Sequence, residues 1–179
     1  MKKASDPSPT TGARGWTGRA VEWIVPAENP AGAVYGTIVI GALLAAESGR
    51  HEGYPDAVGS TLIALGLYWL AHAYAEVLGR RLALHERLTT VALRDALARD
   101  WAIVRGAAIP LLALLLAWAL GAARETAVTA ALWSTVTNLV ALELLAGVRA
   151  HATRGELALE GGVGIAMGVA ILALKIVLH

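Results

Sequence analysis

His72 and Glu76 lie one helical turn apart inside an otherwise apolar stretch, and a second acid, Glu143, lies inside another. Tyr68 precedes His72 by four residues and Arg80 follows Glu76 by four, so a helix would carry all four on one stripe. An ionisable group at the centre of a membrane helix costs about 2.5–3.5 kcal/mol on insertion scales, so each needs a reason. One reason is proton or cation handling: carboxyl groups in a low-dielectric setting exchange protons near neutral pH, and imidazole titrates in the same window. Glu76 and His72, joined by Glu143, could also ligate a divalent metal ion. The plainer alternative pairs Glu76 with Arg80 on its own helix and leaves His72 and Glu143 bonding across helices. Asn138 is about 140° around its helix from Glu143, so the two are not expected to share a ligand.

The elements that must position these residues are membrane spans. Apolar runs cover about residues 31–48, 57–79, 101–123, 126–148 and 157–178, each close to the length of about 20 residues needed to cross a bilayer. Twelve of the fifteen Lys and Arg residues fall on one side of this pattern; Arg50, Arg124 and Lys175 are the exceptions. That bias predicts an all-α bundle of five transmembrane helices with a cytoplasmic amino terminus and an external carboxyl terminus. The net charge of +1 conceals the sorting. With no cysteine, disulfides, thiolate metal sites and cysteine nucleophiles are all excluded.

Residues 1–15 read as a disordered basic tail without the apolar core of a secretory signal. Residues 16–30, with Trp16 and Trp23 around Arg19 and Glu22, read as an interfacial segment. Pro30 suits the first turn of span one. Pro110, near the middle of span three, predicts a kink or a break in its hydrogen-bond ladder. Between spans two and three, RRLALHERLTTVALRDALARD changes apolar phase at Thr89 and Thr90. Leu84, Leu88 and Val91 would share one face, and Leu93, Leu97 and Val104 another. Span two is therefore expected to leave the membrane, turn, and return as a cytoplasmic amphipathic helix.

Glu47 and Lys175, near the outer boundary, are explained by snorkelling. Gly161, Gly164 and Gly168 of span five suit close helix packing; their spacing occurs in an apolar run with no preceding strand, which excludes a phosphate loop. No HExxH, P-loop, zinc-finger spacing or Gly-x-Ser-x-Gly occurs, so nothing points to an enzyme. The expected partners are the lipid bilayer, a small cation or proton, and a second copy of the chain, with no nucleic acid. The Ala-, Leu-, Gly- and Arg-rich composition suggests a bacterial plasma membrane.

Val34-Tyr35-Gly36 at the start of span one, GAAIPLL from Gly106 to Leu112, and the glycine-rich fifth span resemble the vacuolar iron transporter family. The resemblance implies five spans, a projecting second helix, a helical insertion before the third span, and transport of iron or manganese. Where that family carries an acid after the first-span glycine, this chain has Thr37, Ile38 and Val39; where it has Gly-Glu-Tyr, Ala73 precedes Tyr74. Its acid-rich insertion is here rich in arginine. His72 and Glu76 would then be the replacement site. The expected function is small-cation or proton-coupled transport by a homodimer. The competing one is a non-transporting membrane subunit or scaffold that binds a partner through its Arg-rich cytoplasmic helices.

Overall fold

Each helix begins and ends where the sequence supplies the chemistry. The computed structural model describes residues 29–47, 53–85 and 87–177. Within them lie α1 (Pro30–Glu47), α2 (Tyr54–Leu84), α3 (Thr90–Arg99), α4 (Trp101–Ala119), α5 (Arg124–Arg149) and α6 (Arg154–Val177). Asn29 caps α1 by accepting the Gly32 amide at 2.8 Å, ahead of Pro30. Gly121, at φ 77°, ends α4 as the Ala122 amide reaches back to the Ala117 carbonyl. The third span thus stops before the expected residue 123. Thr153 and Glu156 form a reciprocal capping box that starts α6.

α1, α2, the α3–α4 run, α5 and α6 are long and apolar enough to cross a membrane. The basic tail and all but the last two residues of the interfacial segment lie outside the described residues. α2, at 31 residues, is about 46 Å long, well beyond a hydrocarbon core of about 30 Å. It ends at His85, whose left-handed backbone (φ 56°) turns the chain; Thr89 then caps α3 through the Ala92 amide. Leu84, Leu88 and Val91 do not share a face, because the helix stops at Leu84 and restarts at Thr90; all three are exposed. Leu93 and Leu97 of α3 do pack, onto Ala73, Val77 and Ala96.

α1 is the hub. It packs on α4, α5 and α6, whereas α2 lies against the bundle with only a narrow buried strip. Asn29 meets Asp100 and Ala33 meets Gly106, so α1 and α4 run parallel. Thr37 meets Asn138 across the antiparallel α1–α5 pair, and Gly168 meets Val136 across the antiparallel α5–α6 pair. Ile40, Leu44, Ile103, Leu114, Leu132 and Ile171 form the centre of the core. Large apolar side chains outside it, including Ile63 and Leu67 on α2 and Ile165 and Ile176 on α6, are exposed, as suits a lipid-facing surface.

Backbones touch where α1 crosses α4. A Cβ on Gly36 would collide with the Ile103 carbonyl, and one on Gly106 with the Ala33 carbonyl. Gly161, Gly164 and Gly168 are buried, facing Leu144, Val140 and Val136 of α5. These small residues are therefore used for packing inside one chain, while Gly162, Ala166 and Ala170 of α6 remain exposed.

Pro110 lies within α4 without ending it. Proline has no N–H to give the carbonyl four residues earlier, which here is Gly106. Asn138 Nδ2 replaces that donor at 3.2 Å from the Gly106 oxygen; Thr37 Oγ1 lies 3.0 Å from it and 2.9 Å from the Ala33 oxygen, with one proton for the two. Asn138 Nδ2 also donates to Thr37 Oγ1 at 2.9 Å. This neutral polar knot joins three helices in the interior.

Candidate functional site at the α1 entry end

The ionisable side chains gather toward the end where α1, α4 and α6 begin and α2 and α5 finish. Folding α3 back along α2 brings Arg99 to Glu76, with Arg99 Nη2 3.3 Å from Glu76 Oε1. Both side chains are partly exposed, at 39% and 32%. Glu76 therefore has an ion-pair partner on another helix. Trp69 secures the fold-back by donating its indole N–H to the Leu97 carbonyl at 3.1 Å, and its ring meets Trp101 edge-on.

Asp100, at the joint of α3 and α4, is the residue that sequence reasoning missed. It is buried (2% exposed), and its Oδ1 accepts from Asn29 Nδ2 at 3.2 Å. Its Oδ2 is buried with no hydrogen-bond partner among the described residues. His72, Glu76 and Arg99 are all within electrostatic reach of this carboxylate. The N-terminus of α4 also favours a negative charge there. The sequence signal was an acid directly before a long apolar run, hidden among the charges of RDALARD.

His72 stands between two aromatic rings. The Tyr68 ring stacks on it and the Tyr35 ring tilts against it, each with centroids 6.0 Å away. Tyr68, His72 and Glu76 thus keep their expected stripe, now extended by Arg99 and Asp100. Among the described residues, no three His, Asp or Glu side chains come close enough together to hold a metal ion. Glu76 and His72 would need a further ligand to do so.

Glu143 does not join this group. It lines a groove between α1, α5 and α6, which Tyr35 also lines. Its nearest acid is Glu160 of α6, within electrostatic reach. Asn138 is engaged in the interior knot, away from Glu143. At the other end, Lys175 Nζ donates to Thr129 Oγ1 at 2.8 Å and Ser60 donates to Glu47 at 3.2 Å.

No family model matches the chain, and no curated protein or solved structure is significantly similar to it.

Proposed function

We propose that this protein is a small-cation or proton-coupled transporter of the bacterial plasma membrane, with its amino terminus cytoplasmic and its carboxyl terminus outside. The observation that carries this reading is Asp100: a buried carboxylate whose second oxygen has no partner among the described residues, beside the His72 imidazole and the Glu76–Arg99 pair. Buried ionisable groups are retained where they do work, and a carboxylate with spare acceptor capacity can take up a proton or cation. Glu76 and Asp100 are the carriers, His72 is the titrating partner held by Tyr68 and Tyr35, and Glu143 is a second acidic station. Thr37 supports this assignment. It stands near the position where vacuolar iron transporters carry an acid, and here it serves the neutral knot, so charge handling falls to the α2–α4 side. A homodimer would thicken the wall around the pathway.

The test is flux in proteoliposomes under a pH gradient, with protons and divalent ions followed separately. Transport above that of empty vesicles is expected. No flux of either, together with co-purification of another membrane protein, would sink the reading.

A second reading has its own observation. Arg81, His85, Arg87 and Leu88 surround an open concavity of about 480 Å³ at the α2–α3 turn. A non-transporting subunit would offer this basic surface to an acidic partner, and charge reversal at Arg81 and Arg87 would then release it.

A further inference from the structure

The groove holding Glu143 has a chemistry of its own. It encloses about 370 Å³ between α1, α5 and α6. Val34, Ile38, Val163 and Met167 make apolar walls, while Glu143 and Tyr35 bring polar atoms to it. Val163 and Met167 are exposed, so the groove opens at the bundle surface.

Among the described residues no Lys, Arg or His pairs with Glu143, and the charge it feels is the like charge of Glu160. The two acids are seated reciprocally. Glu143 Cγ would lie 3.2 Å from a Cβ on Gly164, four residues after Glu160. The Glu160 carboxylate occupies the space left by the missing Cβ of Gly147, four residues after Glu143. Glu160 Oε2 is buried with no hydrogen-bond partner. Two carboxylates within electrostatic reach of each other in an apolar setting call for a positive charge beside them.

We propose that this groove binds an amphiphilic organic cation, a protonated amine or quaternary ammonium on an apolar body. The cationic head meets Glu143 with Glu160 behind it, and the body lies along Val34, Ile38, Val163 and Met167. An inorganic ion would leave the apolar walls unused, and a neutral acyl chain would leave the carboxylate uncompensated. Glu143 is shared with the flux reading, but the two are tested apart, because binding is measured without a gradient.

The experiment is calorimetric titration of benzyltrimethylammonium into the full chain in nanodiscs of neutral lipid, with neopentylbenzene as the uncharged isostere. One saturable site per chain is expected. Affinity should fall about tenfold or more in Glu143→Gln, the scale of a lost charged contact. It should fall likewise in Val163→Trp, which fills the groove from an exposed position and decides the matter if Glu143→Gln fails to fold. Equal binding of the isostere would make this an acyl-chain groove and overturn the proposal. So would an affinity unchanged in either variant, or full displacement by millimolar magnesium.

Discussion

The side-chain amide of Asn138 lies 3.2 Å from the Gly106 carbonyl oxygen, the acceptor that Pro110 leaves without its helical donor. Without Asn138 the single Thr37 hydroxyl proton must serve both the Gly106 and the Ala33 carbonyls; one buried carbonyl left unsatisfied costs about 1–3 kcal/mol, so Asn138→Leu should destabilise the bundle by about that amount in thermal unfolding. In Pro110→Ala the residue-110 amide can donate to Gly106 itself. The cost of Asn138→Leu should then shrink in that background. Strict additivity of the two substitutions would refute the link between them.

At the α1–α4 crossing, Gly36 and Gly106 face carbonyl oxygens that leave no room for a methyl group. Gly36→Ala or Gly106→Ala should force the helices apart and cost about 1–3 kcal/mol or more. Gly66 on α2 has nothing within 4 Å of its would-be Cβ. Gly66→Ala should therefore be neutral, or stabilising by up to about 1 kcal/mol through helix propensity. Comparing melting temperatures of the three variants separates close packing from a general intolerance of substitution.

One indole adds a hydrogen bond to the apolar packing and the ion pair that hold α3 against α2. Trp69→Phe keeps the ring against Trp101 but loses the 3.1 Å bond to Leu97, a loss of about 0.5–1.5 kcal/mol. Hydrogen exchange should quicken across Thr90–Arg99 while the interior of α5 stays protected. Unchanged exchange in α3 would show that the indole bond does not hold it.

The spans were legible because apolar runs must be about 20 residues long to cross lipid, and the described helices lie within a few residues of them. The return of the chain between α2 and α3 was legible from the phase change at Thr89. What was not legible depends on which faces meet. Arg99 reaches Glu76 only after α3 folds back, so spacing along the chain favoured Arg80. Asp100 looked like one charge among several until α1 and α4 buried it. Glu160 became the neighbour of Glu143 only through the register of α5 on α6, set by Gly147 and Gly164. Pro110 announced a missing donor, but nothing in the order of residues named Asn138 as its replacement.

Glu76 and Arg99 are each about a third exposed. A pair that open to its surroundings contributes about 0–1 kcal/mol. Glu76→Gln and Arg99→Gln should therefore melt close to the parent protein, and their double variant close to either. A large loss of stability in Glu76→Gln alone would recast Glu76 as a structural residue.

The most direct measurement is proton flux into vesicles carrying a trapped pH dye, comparing the parent chain with Asp100→Asn and Glu76→Gln at matched incorporation. The account predicts gradient-driven acidification by the parent, a loss of about tenfold or more in both variants, and unchanged helical content. Parent-like flux in Asp100→Asn, or none in the parent itself, would contradict it.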